Sequence, residues 1–314
     1  MTGVDKHTLQ DISKRFRIKE NEPLKRHTSF RVGGPADLFA TPETPTLLED
    51  LVKTAAEAGI PVFILGGGTN ILFRDKGFRG LVICLSELNQ PVEIRNNDTV
   101  IMTAPAGVRL NALCRKAIEQ GLTGLEFAAG IPGTFGGSLY MNAGAHGGSI
   151  TDRLISIRVM EKRSGQVHRL HRDDLQVNYR KLRVNPERLT VPMSELIILE
   201  ADLALETGDP EQIRATFETN LEQRNRTQPV AAASAGCFFK NPSPEKPAGK
   251  LIELCGLKGT RIGGAQVSQK HANYIVNHED ATCADILDLV AHVRQQVKTQ
   301  FDVELETEVK IEGE

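Results

Sequence analysis

The feature that most constrains the fold is a glycine-dense stretch at residues 121–148, which holds nine glycines. Glycine inside a helix or strand costs roughly 0.5 to 1 kcal/mol relative to alanine, so this density predicts backbone that turns sharply or approaches a ligand closely. A flexible linker is the alternative, but linkers are polar, and apolar residues are spread through this stretch. We therefore expect an ordered loop that contains Leu125, Phe127, Ile131, Phe135, Leu139 and Met141.

The chain is long and apolar enough to fold into a globular protein with two or three cores. It has 314 residues, of which 40% are apolar and 25% are charged. The first twenty residues alternate charged and polar groups without an apolar block, so we expect no signal peptide, and no apolar run approaches the roughly 20 residues that span a bilayer. We expect a cytoplasmic protein with no membrane partner.

Cysteine usage and net charge exclude several functional classes. The cysteines are odd in number, scattered and free of any C-x-x-C pair, which argues against both a disulfide framework and a metal site of the zinc type. The formal net charge of −2 excludes a strongly basic nucleic-acid binder, so an anionic ligand needs a local group of cations. We expect most of the five cysteines to be small core residues: Cys84, Cys114, Cys237, Cys255 and Cys283.

Helix and strand patterns alternate in the first third of the chain. A helix is predicted from Thr44, which can cap it ahead of Pro45, to Gly59, and a buried apolar strand follows at residues 61–65. A second helix is predicted at residues 110–119. Further strand-like runs are Ile71–Phe73, Leu81–Leu85 and Val100–Thr103.

The rest of the chain predicts a sheet followed by a separate C-terminal region. Short alternating runs between residues 154 and 205 favour a mostly antiparallel sheet, and a helix from Asp209 to Gln228 marks a domain hinge. A second long helix begins at Thr282. A final strand is predicted from a strict alternation of Val303, Leu305, Thr307, Val309 and Ile311 with Glu304, Glu306, Glu308 and Lys310.

The run Gly66–Asn70 follows a buried strand, where successive backbone amides can form a concave site for a pyrophosphate. The run is neither G-x-G-x-x-G followed by a helix nor a Walker loop, which disfavours Rossmann and P-loop folds. A tight turn between two strands is an equally good explanation of three glycines alone.

The second glycine block, residues 130–145, supplies another wall of backbone donors, together with the side chains of Thr134, Ser138 and Asn142. Two such loops could hold both ends of a dinucleotide.

An ordered set of motifs over about residues 25–312 resembles the UDP-N-acetylenolpyruvoylglucosamine reductase family, in its shorter class without a substrate-covering insertion. No single motif is decisive, but the ordered set is highly specific. Three positions depart from the family's pattern: Leu182 for serine, Tyr274 for phenylalanine and Lys310 for arginine. The matching runs are Arg31–Asp37, Leu65–Asn70, Gly130–Gly144, Tyr179–Arg180, Gly236–Pro242, Leu251–Gly259, Gly264–Ser268, His271–Asn277 and Leu305–Val309.

The resemblance implies an α+β fold. An FAD-binding domain of the p-cresol methylhydroxylase type, in two α/β lobes, would span about Phe30 to Glu206 and precede a C-terminal α/β substrate-binding domain. The implied boundaries are 1–85 for the first lobe, completed by the C-terminal strand 303–312, then 86–208 for the second lobe and 209–302 for the substrate-binding domain.

The implied function is NADPH-dependent, FAD-mediated reduction of the enolpyruvyl ether of UDP-N-acetylenolpyruvoylglucosamine to UDP-N-acetylmuramate in peptidoglycan biosynthesis. The resemblance implies non-covalent FAD and a small nucleotide-sugar substrate, and we expect a monomer. The residues implied for FAD are Gly66, Gly67, Gly68, Thr69, Asn70, Gly130, Ile131, Pro132, Gly133, Thr134, Gly136, Gly137, Ser138, Asn142 and Gly144.

Three catalytic residues carry over from the resemblance, and each has an ordinary alternative. Arg180 suits a carboxylate bidentately, although its position also fits a solvated strand end. Cys237 stands where the family commonly has a proton-donating serine, although a core thiol is the usual state of such a cysteine. Glu308 matches an active-site glutamate, although it lies on the charged face of the predicted strand.

Substrate-binding residues are also implied by the resemblance. The net charge leaves local cations of the C-terminal domain for the substrate's anionic groups, namely Lys240, Lys250, Lys258, Arg261 and Lys270, of which we expect only some to touch it. The implied substrate-binding set is Tyr179, Lys240, Asn241, Lys250, Gln266, His271 and Asn273.

The implied chemistry explains these residue types. Hydride addition to the enolpyruvyl methylene leaves negative charge on the neighbouring carboxylate, which Arg180 and Glu308 would polarise and hold. The carbon bearing the ether oxygen then needs a proton, and a thiol near its unperturbed pKa of about 8.5 carries one at neutral pH. Two rival functions stay open: an FAD-linked oxidase with covalent flavin, and a non-enzymatic binder of flavin or nucleotide sugar.

Overall fold

A computed structural model of the chain describes residues 16–96 and 99–314. The expectation that no signal peptide is present falls largely on residues 1–15, which lie outside the described residues. The α-helices are α1 (Pro45–Glu57), α2 (Leu110–Glu119), α3 (Phe135–Tyr140), α4 (Pro210–Thr227), α5 (Ala248–Leu254) and α6 (Cys283–Phe301).

Twenty strands accompany the helices in the described residues. They are β1 (Lys19–Pro23), β2 (Pro35–Ala40), β3 (Val62–Leu65), β4 (Ile71–Phe73), β5 (Phe78–Cys84), β6 (Glu93–Asn96), β7 (Val100–Pro105), β8 (Leu122–Thr123), β9 (Gly144–Ala145), β10 (Gly148–Ser149), β11 (Leu154–Glu161), β12 (Val167–His171), β13 (Leu175–Asn178), β14 (Lys181–Val184), β15 (Leu196–Thr207), β16 (Ser234–Cys237), β17 (Arg261–Ile262), β18 (Ala265–Val267), β19 (Tyr274–Asn277) and β20 (Lys310–Glu312).

The predicted helix starts are confirmed by their caps. The Thr44 hydroxyl accepts a hydrogen bond from the backbone of Leu47 at 3.2 Å, and Pro45 occupies the first turn of α1. At α6, Thr282 and Asp285 form a reciprocal capping box. These local signals place both helices as the sequence predicts.

The strands form one large sheet and several small ones. The largest has the order β12-β11-β15-β7-β6, with β8 also on β15, and every pair in it is antiparallel. This confirms the antiparallel sheet predicted between residues 154 and 205, and the mixture of helices and sheets confirms the α+β class. The other orders are β1-β2-β5-β3, β16-β19-β18-β17, β9-β10, β13-β14 and β4-β20.

The chain divides into two compact units. The first comprises the described residues up to Lys19, then Leu38–Gly67 and Gly80–Gln223, around a core that includes Phe135 and Leu203. The second comprises Glu20–Asp37, Gly68–Arg79 and Arg224–Glu314, around a core that includes Phe238 and Phe239. The three-part domain division stays a prediction.

The C-terminal strand is shorter than predicted. Only Lys310–Glu312 is a strand, and it pairs in parallel with β4. Residues 303–309 contribute one isolated bridge, from Thr307 to Phe239. The alternating burial is nevertheless present, with Leu305 and Val309 buried. The alternating sequence therefore predicted correctly that Leu305 and Val309 face inward, but it did not show whether a partner strand was available.

The glycine-dense stretch is ordered, as expected, but it also contains α3, which was not predicted. In the described ranges, no helix combines the length and apolarity needed to cross a membrane.

Candidate functional site

The two glycine loops contact each other backbone to backbone in the first unit. A Cβ added at Gly67 would lie 2.6 Å from the Cα of Gly133, and one added at Gly66 would lie 2.5 Å from the Thr134 hydroxyl oxygen. Both distances are too short for real carbon atoms, so glycine is required at this crossing. The loops thus form one wall with little side-chain cover, the kind of surface that a pyrophosphate approaches closely.

The side chains of the second block hold its own backbone in place. The Thr134 hydroxyl caps α3 by accepting from the Gly137 amide at 3.4 Å, and the Ser138 hydroxyl donates to the Thr134 carbonyl at 2.9 Å. Phe135 and Leu139 anchor the helix in the core. Ile131 is also buried, whereas Pro132 is exposed.

Asn142 connects the second block to its surroundings. Its backbone is left-handed, with φ of 42°, and its side chain is buried. The amide nitrogen donates to the Asn178 carbonyl at 3.1 Å, and the amide oxygen accepts from the Thr151 hydroxyl at 2.7 Å. This fixes the end of the glycine block against the β13–β14 hairpin.

Arg180 lies at the tip of that hairpin. Asn178 pairs with Lys181, so Tyr179 and Arg180 form a two-residue turn, in which Arg180, the second central residue, takes a positive φ of 56°. Its guanidinium donates to the Gly144 carbonyl at 2.9 Å and lies 5.2 Å from the centroid of the Tyr179 ring. Arg180 is therefore a half-buried residue of a hairpin turn, and its catalytic role stays a prediction.

An open cavity of about 410 Å³ lies beside this arginine within the first unit. Its lining includes Asn142, Gly144, Ser149, Tyr179 and Arg180. Two residues implied for the cofactor, one implied for substrate and one implied for catalysis thus share one concave surface.

The end of the first glycine loop, Gly68–Asn70, belongs to the second unit. Gly68 has φ of 64°, and its carbonyl accepts from the Ser29 amide at 3.0 Å. The Asn70 side chain donates to the Glu308 carbonyl at 3.2 Å. The loop is thereby tied to the segment that carries the predicted catalytic glutamate.

Cys237 ends β16, directly opposite Tyr274 of the antiparallel strand β19. A register irregularity separates this pair from Ser234↔Val276, and Gly236 takes φ of 81° within it. Such irregularities re-aim side chains near functional sites. Cys237 is half-buried, whereas Cys84, Cys114 and Cys283 are buried.

Asn273 supports the segment that follows Cys237. Its amide oxygen accepts from the Phe239 amide at 2.9 Å, and its amide nitrogen donates to the Phe239 carbonyl at 2.8 Å. The Asn273 carbonyl accepts from the Phe238 amide at 2.7 Å. The Asn273 side chain thus holds the backbone of the segment that follows Cys237.

Tyr274 is a buried phenol among polar groups. Its hydroxyl donates to the side-chain oxygen of Gln228 at 2.6 Å. Burial raises the pKa of Tyr274 above its ordinary range; the neighbouring Cys237 and Glu308 act in the same direction, while Arg224 opposes them. The phenol therefore stays protonated at neutral pH.

Glu308 is half-buried, which breaks the exposed pattern of the other charged residues in its segment. Its amide donates to the Phe238 carbonyl at 2.8 Å. Its backbone is thus held one residue from Cys237.

Apart from Tyr179, the residues implied for substrate occupy several environments in the second unit. Lys240 forms an ion pair with Glu306, Lys250 is exposed on α5, and the Asn241 side chain accepts from the Ala248 amide at 3.0 Å. These assignments stay predictions.

Gln266 and His271 also make local bonds. Buried Gln266 donates to the Gly259 carbonyl at 3.3 Å, and His271 Nδ1 accepts from the Asn273 amide at 3.2 Å. Burial, and then Lys258, lowers the pKa of His271 below its ordinary value, which favours neutral imidazole.

The sequence did not predict that Tyr274 is hydrogen-bonded to Gln228 or that Arg224 lies close enough to affect its pKa. A tyrosine inside the apolar run of β19 was the available signal, because a buried phenol hydroxyl usually finds a partner.

Comparisons with known proteins agree over most of the chain. A family model described as the C-terminal domain of UDP-N-acetylenolpyruvoylglucosamine reductase matches residues 228–312, and one described as an FAD binding domain matches residues 36–171. The UDP-N-acetylenolpyruvoylglucosamine reductase of Desulfosudis oleivorans is 42% identical over 96% of both chains.

Two further relatives extend this agreement. The enzyme of the same name from Clostridioides difficile is 42% identical over 98% of this chain and 97% of its own. The crystal structure of UDP-N-acetylenolpyruvylglucosamine reductase from Thermus caldophilus is 33% identical, with a TM-score of 0.77 over 94% of this chain and 98% of that chain.

Proposed function

The chain belongs to the UDP-N-acetylenolpyruvoylglucosamine reductase family, and we propose from this that it reduces the enolpyruvyl ether of UDP-N-acetylenolpyruvoylglucosamine to UDP-N-acetylmuramate in peptidoglycan synthesis. It is an oxidoreductase that uses FAD and NADPH and acts on a nucleotide sugar. The observation that carries the proposal is the crossing of the two glycine loops within the segment that matches an FAD-binding model.

The first unit fits FAD in its residue types and spacing. Gly66 and Gly67 cross Gly133 and Thr134 at distances that exclude any Cβ, so the two loops can pack together only with glycine at these positions. We assign this wall to the pyrophosphate and ribityl chain of FAD, and the other residues of the block to the same cofactor.

When bound, FAD supplies the hydride that adds to the enolpyruvyl double bond. Arg180 provides a planar donor fork for the substrate carboxylate, where negative charge develops. The turn fixes its backbone, and the bond to Gly144 fixes its guanidinium, so little reorganisation is needed as that charge grows. We assign Glu308 to the same charge.

We assign Cys237 to the proton. The Sγ–H bond breaks as a new C–H bond forms at the carbon that bears the ether oxygen, and the sulfur keeps the electron pair as a thiolate. Half-burial leaves the thiol accessible, unlike the buried thiols of the core.

In this proposal the enzyme acts in the cytoplasm as a monomer. The five cysteines are all free thiols, as in proteins from a reducing compartment.

The first test is the colour of the purified protein. We expect about one FAD per chain, released into the supernatant by acid precipitation, because no covalent link holds it. NADPH should bleach it, and the enol ether should restore the colour. A colourless protein that takes up no added FAD would refute the proposal; colour retained in the acid pellet would favour the oxidase, and FAD without NADPH turnover would favour the binding protein.

Replacing Gly67 with alanine tests the crossing of the loops. The added carbon meets backbone at 2.6 Å, so the loops must separate, at a cost of about 1–3 kcal/mol in the free energy of unfolding. We expect weaker FAD retention, measured by flavin absorbance per chain after gel filtration. The control is Gly208→Ala, whose Cβ would have side-chain atoms alone as its nearest neighbours, the Cδ1 of Ile213 at 3.2 Å and the Cγ2 of Thr123 at 3.4 Å. Equal FAD retention in both variants would contradict the prediction.

A further inference from the structure

Tyr274 and Cys237 form a polar pair inside the second unit. They lie directly opposite each other on the antiparallel strands β19 and β16, which places their side chains next to each other on one face of the sheet. Gln228, which follows α4, accepts from the Tyr274 hydroxyl at 2.6 Å. The phenol is therefore hydrogen-bonded to a neutral amide and is the cross-strand neighbour of a thiol.

The donor and acceptor capacities of Cys237, Tyr274 and Gln228 limit the directions that their hydrogen bonds can take. A phenol has one hydrogen to donate, whereas its oxygen can also accept, and an amide oxygen can only accept. Because the Tyr274 hydrogen lies toward Gln228, the phenol oxygen keeps lone pairs that can accept a hydrogen bond from the thiol of its cross-strand neighbour Cys237. If the thiol becomes a thiolate, the same hydroxyl can donate to the sulfur instead.

We propose that Tyr274 is a positioning residue that orients the Cys237 thiol and stabilises the thiolate left after proton donation, with Gln228 as the resting acceptor of its hydroxyl. This rests on the proton-donor role assigned to Cys237 above. The substrate carbanion's electron pair forms the new C–H bond with the thiol proton, the sulfur becomes negative, and the Tyr274 hydroxyl turns from Gln228 to the sulfur. A proton from solvent then restores the thiol.

The other groups around the Tyr274 ring would remain in place if its hydroxyl were removed. Arg224 of α4 and Glu308 of the C-terminal segment both influence the phenol, and the His271 ring lies edge-on at 5.2 Å between centroids. Phenylalanine at position 274 keeps the ring and all three neighbours and removes only the hydroxyl. Any change in proton transfer therefore reports on that group.

The experiment is stopped-flow absorbance on the FAD-loaded Tyr274→Phe enzyme. We expect the substrate half-reaction to slow about tenfold to a hundredfold, the value of a hydrogen bond to a charged group. Its solvent deuterium isotope effect should rise, because proton transfer becomes more strongly limiting. The NADPH half-reaction should be unchanged, and Cys255→Ser, which alters another half-buried thiol of the same unit, should leave both half-reactions unchanged.

A double-mutant cycle separates positioning from a purely structural role. In a Cys237→Ala background there is no thiolate to stabilise, so adding Tyr274→Phe should change the substrate half-reaction less than about twofold. Equal slowing in both backgrounds, or no slowing in the single variant, would overturn the positioning role. If Cys237→Ala alone leaves the substrate half-reaction unchanged, the proton-donor assignment itself fails, which is a different result.

Discussion

Replacing Cys237 with alanine is expected to slow the reoxidation of reduced enzyme by the enol ether about 100-fold or more, the low end of general-acid contributions. The methyl group of alanine has no proton to give to the substrate carbon. Cys237→Ser should keep substantial activity, because a hydroxyl of similar size can reach the same carbon. The NADPH half-reaction should be nearly unchanged in both variants, since no substrate proton moves in that step.

A core role for Cys237 predicts the reverse order. An apolar pocket would tolerate alanine at least as well as serine, and the loss would appear as a lower Tm. Cys283 shows what such a thiol looks like: it is buried, and burial, with Asp75 adding to it, raises its pKa to about 11. Both half-reactions and the Tm of the two variants decide the matter. A Cys237→Ala enzyme with an unchanged substrate half-reaction and a lower Tm would contradict the catalytic assignment.

Arg180→Ala should slow the substrate half-reaction by about 100- to 1,000-fold, the range for removing one donor that faces developing negative charge. Arg180→Lys should recover only part of this rate, because an ammonium cannot reproduce the planar fork. Stopped-flow absorbance measures the half-reactions separately. Arg183→Ala is the matched control: it removes an exposed cation from the same hairpin and should leave both half-reactions unchanged.

The bond from Arg180 to Gly144 suggests a competing explanation that the same samples can test. If the arginine mainly held the glycine block, Arg180→Ala would lower the FAD content per chain and slow the NADPH half-reaction as well. Full FAD content with only the substrate half-reaction slowed is the outcome that supports a role at the substrate carboxylate.

Elements defined by neighbouring residues could be predicted from the sequence. Thr44 with Pro45, and Thr282 with Asp285, placed two helix starts because each cap acts within one turn of its own helix. The sequence also predicted a tight turn or a close approach of another group at Gly66 and Gly67, because three consecutive glycines after an apolar strand favour either one. The atoms they meet, on Gly133 and Thr134, were not predictable from local sequence.

Features that depend on distant pairing could not be predicted. The opposition of Cys237 and Tyr274 needs the register of two strands and its irregularity, and no local pattern sets these. α3 was missed because Gly136 and Gly137 lower helix propensity, while the helix is sustained by the Thr134 cap and buried Phe135. The C-terminal strand was predicted to be longer than it is, because an alternating sequence does not show whether a partner strand is available.

The second unit is built from three separate segments of the chain, so it cannot fold completely until the last of them has been synthesised. Residues 20–37 and 68–79 leave the ribosome long before residues 224–314, and β4 has no partner until β20 is made. Contacts of such sequence separation fold slowly, because the entropy of closing a long loop precedes any gain. Leu72 and Phe30, fully buried in the finished protein, belong to a core whose other members mostly come from residues 235–309. The core of the second unit is therefore completed only after β20 has been synthesised.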